Sequence, residues 1–163
     1  GSDPDNYGSN PPTLKLTSSA ANFSMSGTWD HTHPTATTFR VVDTGGTNGN
    51  GEDLIAYLFA TLPGISKIGS YSGNGGNQDI DCGFTNGARF VLIKRTDSAD
   101  SWHLFDTTQG INSGNDPYFR LDLTAAQVTG NDFIDPLNSG FKLVTGDGGI
   151  NASDGSYIFL AIA

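Results

Sequence analysis

Three aromatic side chains stand in polar sequence surroundings that suit sugar recognition. Trp29, Trp102 and Tyr118 each have Asn- or Asp-rich segments close by in the chain. A pyranose has one apolar face and several hydroxyls, so an aromatic platform with carboxylate and amide groups beside it can bind one. We therefore predict these three as ligand-binding residues for a glycan. For Trp102 a core position is the competing interpretation, because Leu104 follows two residues later on the same side of a strand.

Carboxylates are abundant, but their spacing matches no catalytic pattern. The pairs Asp79/Asp81 and Asp97/Asp100 could supply the acid and the base of a glycosidase. The acid needs a pKa raised by burial, and these residues occupy loop-like or solvent-facing positions. The sequence also contains no G-x-S-x-G, H-E-x-x-H, P-loop or Cys-x-x-Cys pattern. We predict no catalytic residues and keep a carbohydrate-active enzyme fragment as the least favoured alternative.

Two segments offer ligands of the kind that metal ions use. Residues 43–53 and 146–155 are rich in Asp, Asn and Gly, which provide oxygen ligands for calcium, although neither has EF-hand spacing. In His31-Thr32-His33 both imidazoles would point the same way on an extended chain and could share an ion between several chains. Solvated turns and a plain surface loop account for both features more simply. We predict no cofactor or metal, with loop calcium as the alternative.

Length and charge limit the classes of partner. A chain of 163 residues suits one domain or two small ones. Its formal net charge of −9 disfavours binding to nucleic acid or to an anionic membrane. No apolar run approaches the roughly 20 residues that cross a bilayer, so we expect no membrane insertion. Cys82, the single cysteine, excludes an intramolecular disulfide and leaves at most a buried thiol.

The composition predicts an all-β fold. Among 17 acidic residues only Glu52 is glutamate, and aspartate disfavours helix because it bonds to its own backbone. Apolar residues fall in short runs separated by turn residues. We predict a two-sheet β-sandwich of the jelly-roll or lectin-like type, with long Gly/Asn/Asp-rich loops and little or no helix. The expected strands cover residues 14–17, 37–42, 54–60, 66–71, 79–84, 89–95, 101–106, 118–123, 133–134, 141–144 and 157–162, and a single helical turn is allowed at 124–128.

Two segments of the chain are similar to each other. Residues 39–60 and 141–163 both have Phe, a base, two aliphatic residues, a Gly-Gly loop and a final apolar run that ends in Ala. We interpret them as one structural unit used twice. The predicted organisation is a tag scar and loop-like lead (1–12), the tail of a preceding copy packed with the rest (13–63), and a full β-sandwich copy (64–163).

Several longer strings carry a family resemblance. GISKIGSYSGNGG, IDCGF, FVLIKRTDSADSW, NSGF and INASDGSYIFLAIA resemble a domain of unknown function that is repeated in tail-fibre and other virion proteins of marine tailed phages. The resemblance implies a virion structural module, located outside the cell, that binds bacterial surface glycans or other virion proteins and forms a homotrimer in a full-length fibre. A purely structural spacer or decoration domain is the alternative. The resemblance implies no catalytic residues.

Overall fold

A computed structural model describes residues 11–24, 28–42 and 46–163, which form two compact units. One unit comprises the described residues up to 58 except Lys15–Ala21, and the other comprises Lys15–Ala21 and Phe59–Ala163. Among these residues there is no helix. Accordingly, none of the described segments provides a helix able to span a membrane. Residues 1–10 of the predicted lead and residues 43–45 of the Asp/Asn/Gly-rich segment 43–53 lie outside the described residues.

The first unit contains one short sheet. Strands β1 (Pro12–Thr13) and β2 (Phe23–Ser24) pair antiparallel, with Thr13 opposite Phe23. The indole nitrogen of Trp29 donates a hydrogen bond of 2.9 Å to the Thr13 hydroxyl. This bond gives the partly buried Trp29 a structural role in the unit.

The second unit is a two-layer antiparallel β-fold. Its strands are β3 (Ser66–Ser72), β4 (Gln78–Asp81), β5 (Phe90–Arg95), β6 (Trp102–Asp106), β7 (Phe119–Arg120), β8 (Ile134–Leu137), β9 (Gly140–Leu143) and β10 (Ser156–Ile162). One sheet has the order β3-β10-β5-β6-β7, and the other has the order β4-β9-β8. The predicted all-β, sandwich-like fold is thereby confirmed.

Alternation along the strands places the core between the two sheets. In β5, Val91 and Ile93 are fully buried while Leu92 between them is only partly covered. Across the layers, the Phe141 ring of β9 meets the Phe159 ring of β10 edge-on, with centroids 5.4 Å apart. The same period of two gives the five-stranded sheet a second face, which points away from the core.

Several expected strands are absent from the described residues. Residues 14–17, 37–42 and 54–60 belong to no sheet, and residues 124–128 form no helical turn. The prediction of strands at these positions was wrong because a strand needs a neighbour's backbone groups as well as a suitable local pattern. The 54–60 run has no regular secondary structure, and its Ile55, Tyr57 and Leu58 side chains are 76–79% exposed.

The hairpin between β5 and β6 shows which base pairs with which acid. The adjacent bases Lys94 and Arg95 are predicted to pair with Asp97 or Asp100 across the hairpin. Arg95 Nε does lie 3.0 Å from Asp97 Oδ1. Lys94 behaves differently, because its side chain is completely buried and its ammonium donates to the carbonyl oxygens of Ser19 and Arg95. Burial lowers the pKa of Lys94, although the nearby carboxylates of Asp100 and Asp122 oppose this shift. The prediction of an ion pair therefore holds for Arg95 alone.

Buried His103 should make the stability of the fold depend on pH. Its Nδ1–H donates to the Ser101 carbonyl at 3.1 Å, and burial lowers its pKa from 6.5. The unfolded chain therefore takes up the proton first, so the free energy of unfolding should fall as pH drops below about 6.5. We expect His103→Gln to flatten this dependence in urea unfolding between about pH 7 and pH 5. The exposed-residue control His31→Gln should retain the wild-type slope, and equal slopes for all three proteins would contradict the assignment.

Candidate functional site

The three predicted ligand-binding residues occupy different environments. Tyr118 is only 6% exposed, and its ring stacks on Phe133 at 5.2 Å between centroids. Tyr118 therefore packs in the core, and its face is not available to a sugar in this structure. Trp29 belongs to the other compact unit.

Trp102 lies on the outer face of the five-stranded sheet. Its indole nitrogen donates to the Lys15 carbonyl at 2.9 Å, and the side chain is partly buried. Leu104 shares this face, as the alternation predicts, but the face points away from the core. The interpretation of Trp102 as a residue of the inter-sheet core is therefore wrong.

Around Trp102 the outer face forms a shallow depression, which we call the outer groove. Its volume is about 490 Å³, and no charged side chain lines it. A sugar needs partners for its hydroxyl groups, which the aliphatic and aromatic side chains here do not provide. The outer groove is lined by Ile68, Phe90, Leu92, Trp102, Leu104, Ile158, Leu160 and Ile162 of the sheet, with Leu16, Phe59 and Leu121 from flanking segments.

A second depression, the edge groove, has the mixed chemistry that sugar recognition requires. It runs between β3 and β4, which are edge strands of the two sheets, and has a volume of about 430 Å³. Its lining residues are Lys67–Tyr71 of β3, Gln78–Asp81 of β4 and Phe159 of β10. It thus combines the half-buried ring of Tyr71 with ammonium, amide, carboxylate and hydroxyl groups, while the Phe159 ring is only 5% exposed and forms the base of the groove.

The aromatic side of the edge groove depends on a glycine. A Cβ atom on Gly69 would lie 2.7 Å from the Phe159 ring, so only glycine lets that ring extend beneath β3. The Tyr71 ring lies 6.2 Å from Phe159 and stacks on Tyr157 at 4.9 Å. The Tyr71 hydroxyl donates to the Ile150 carbonyl at 2.6 Å, which holds the ring in one orientation. Burial raises the pKa of Tyr71 well above 10.0.

The polar side of the edge groove has free hydrogen-bonding capacity. The Asp79 carboxylate and the Ser70 side chain are exposed. The side-chain amide of Gln78 donates to the Ser72 carbonyl at 3.1 Å, while its oxygen is buried and has no partner among the described residues. The exposed Asp79 carboxylate is the acceptor that the hydroxyl groups of a ligand can reach, whereas the buried Gln78 oxygen is not accessible to them. The Asp81 carboxylate instead accepts the Gly83 N–H at 2.8 Å.

The turn between β3 and β4 sets the distance across the edge groove. Fully buried Asn151 donates from its amide to the carbonyls of Gly76 and Thr145, at 2.6 and 2.9 Å. Its oxygen accepts the backbone N–H of Asn74 at 3.0 Å. Gly73 is required by close approach, because a Cβ there would lie 2.1 Å from the Ala152 carbonyl oxygen.

The D-x-D pattern of Asp79 and Asp81 was visible in the sequence, where it indicated a solvated face. Both side chains are exposed, which agrees with that interpretation. The pattern does not reveal that β3 lies across from β4, since these strands belong to different sheets. The groove lining from β3 and the part played by Asn151 were missed for the same reason.

The cysteine, the His31 segment and the loop 146–155 were the other candidates for a nucleophile or a metal site. Cys82 is a buried free thiol, as predicted, and burial raises its pKa to about 11. Over the described ranges, no three His, Cys, Asp or Glu side chains are grouped so that they could hold a metal ion. His31 is exposed, with a positive φ of 51°. In the loop 146–155, the Asp147 carboxylate accepts the Gly149 N–H at 2.9 Å.

Comparison with known proteins places the chain in a family. Neither the curated proteins nor the solved structures contain a match to it. A family sequence model does match, over residues 5–163, which is nearly the whole chain. The chain belongs to the family described as "Domain of unknown function (DUF7483)".

Proposed function

We propose that this chain is a non-enzymatic β-sandwich module of a phage virion protein that binds bacterial surface glycans through the edge groove. The observation that carries the binding assignment is the half-buried Tyr71 ring in one groove with the exposed Ser70 hydroxyl and Asp79 carboxylate. The phage context rests on the resemblance of the sequence strings described above. We assign the module to the virion, outside the cell.

Binding by such a groove would be weak for a single module. The groove is shallow, and a ligand at its rim stays partly in water, which limits the free energy gained from each hydrogen bond. Several copies on one particle would raise the apparent affinity by avidity, without any new contact. This mechanism needs no catalytic group.

A structural spacer or decoration role is the second candidate. The observation that favours it is the outer groove, whose apolar lining suits contact with another protein more than contact with a sugar. The two grooves share Ile68, Gly69 and Phe159, but Asp79 lines only the edge groove and Ile158 only the outer groove, so variants at these two residues can test the functions separately.

The test of the proposal is binding of multivalent protein to a glycan array and to whole bacterial cells. We expect Asp79→Ala to weaken binding by roughly 10- to 100-fold, because a hydrogen bond to a charged group contributes about 1.5–3 kcal/mol. Asp132→Asn removes an exposed carboxylate just before β8, at the far edge of the smaller sheet, and should leave binding unchanged.

Two outcomes would overturn the assignment to the edge groove. One is the absence of binding from a folded, multivalent sample. The other is binding that survives Asp79→Ala but is lost with Trp102→Ala, which would move the site to the outer face. Release of reducing sugar from a bound polysaccharide would contradict the non-enzymatic part of the proposal.

A further inference from the structure

The outer groove is an apolar surface on a chain whose net charge is strongly negative. Ile68 and Ile158 at its centre are 42% and 37% exposed, although both lie in the middle of long strands. Isolated exposed hydrophobic residues are common, but a continuous apolar groove across a sheet marks a surface that another molecule covers. The lack of charged lining residues argues against an ionic or sugar partner.

The chain also carries a segment with matching chemistry. Residues 54–60, Leu-Ile-Ala-Tyr-Leu-Phe-Ala, contain no charge and belong to no helix or strand. In the part of the chain that the structure describes, their backbone joins no sheet, and only the Ala60 carbonyl accepts a hydrogen bond, from the Ser66 hydroxyl. Ile55 and Tyr57 are each 79% exposed. An apolar segment with exposed side chains and unpaired backbone groups is a binding element that lacks its partner.

The C-terminal strand shows how a segment of this composition is accommodated. Residues 157–163, Tyr-Ile-Phe-Leu-Ala-Ile-Ala, are also seven uncharged residues that end in Ala. They include most of β10, which lies between β3 and β5 and has neighbours along both edges. The run 54–60 has the same character without the neighbours, so it is suited to lie against a β-sheet.

We propose that residues 54–60 of one chain bind in the outer groove of a second copy of this chain. Each copy carries both the groove and the run, which share Phe59 at the margin of the groove, so association of two copies covers the exposed residues 54–58 of the run and the rest of the groove. Neither surface is charged, so the attraction is hydrophobic and does not depend on neutralising the acidic residues elsewhere. The outer groove adjoins the edge groove at Ile68, Gly69 and Phe159, but Ile55 and Ile158 are not part of the edge groove. Failure of this proposal at those two residues would therefore leave the glycan-binding proposal intact.

The experiment is sedimentation velocity on the whole chain over a range of concentrations, with one variant for each half of the contact. Ile158→Lys places a charge in the groove, and Ile55→Lys places one in the run. Each should weaken association by roughly 30-fold, the effect of losing a central interface residue. Leu123→Lys is the matched control, because Leu123 is 45% exposed and belongs to neither surface. Near-UV circular dichroism checks that every variant is folded.

Mixing the two variants distinguishes a specific contact from nonspecific hydrophobic association. The Ile158→Lys chain keeps its run and the Ile55→Lys chain keeps its groove, so the mixture should associate more strongly than either variant alone. A monomeric wild type would overturn the proposal. Association that both variants leave unchanged, or a mixture that stays monomeric, would overturn it as well.

Discussion

Asp116→Ala is expected to destabilise the second unit by about 3–5 kcal/mol. Asp116 is fully buried, and one carboxylate oxygen accepts the N–H groups of Phe133 and Ile134 at 3.1 and 2.9 Å. The other accepts the N–H of Asn112 at 3.0 Å. Each buried donor left without a partner costs about 1–3 kcal/mol. Because whole domains are stable by only about 5–15 kcal/mol, the variant should lose a large part of its stability.

The free energy of unfolding in urea measures this effect. Asp116→Asn should be intermediate, because it keeps one acceptor oxygen but turns an amide NH₂ toward backbone donors. The exposed-acid control Asp132→Asn should differ from wild type by less than about 0.5 kcal/mol. A loss of less than about 1 kcal/mol for Asp116→Ala would mean that the three N–H groups find other partners and that our account of this loop is wrong.

Asn151→Asp should be more damaging still at neutral pH. The Asn151 amide nitrogen faces three acceptors, the oxygens of the Asn74 side chain and of the Gly76 and Thr145 carbonyls, at 2.6–3.1 Å. An aspartate would place a buried negative charge against these oxygens, which costs more than a missing hydrogen bond. We expect a loss of about 4 kcal/mol or more for Asn151→Asp and about 2–4 kcal/mol for Asn151→Ala.

The pH dependence distinguishes charge repulsion from loss of packing. Protonation of the new carboxyl restores one donor, so Asn151→Asp should recover part of its stability, relative to wild type, as pH falls toward about 4. Asn151→Ala should show no such recovery. Asn115→Ala removes an exposed asparagine and serves as the control. Equal stability of Asn151→Asp and wild type at neutral pH would contradict the proposed hydrogen bonds.

The Asn151 variants should affect glycan binding as well as stability. Asn151 joins the turn after β3 to the loop before β10, and the turn sets the separation of β3 and β4. Folded molecules of the Asn151→Ala variant should therefore bind glycan more weakly than wild type. A binding measurement at a temperature where the variant is folded tests this link.

The regular part of the fold was predictable from alternation and turn residues. The β5–β6 hairpin follows from RFVLIKR and SWHLFD separated by a polar loop, and the Arg95–Asp97 pair follows from that hairpin. The run at 54–60 shows where this reasoning fails. Its composition resembles that of the central strand β10, but composition does not specify the neighbouring backbone that makes a segment a strand.

Alternation identifies the two faces of a strand but does not tell which face the core covers. Trp102 and Leu104 share a face, as expected, yet the core lies on the side of His103 and Phe105. Tyr118 was chosen for its polar flanks, but its ring is buried among aromatic side chains. The edge groove arises where two sheets meet, and that depends on contacts between residues distant in the chain.

The most direct test of glycan binding in the edge groove is a two-dimensional NMR titration of ¹⁵N-labelled protein with the best ligand from the glycan array. Binding there predicts chemical-shift changes concentrated in Ser66–Ser72 and Gln78–Asp81, and their loss in Asp79→Ala. Changes centred on Trp102 or Trp29, with β3 and β4 unaffected, would contradict the edge groove as the binding site.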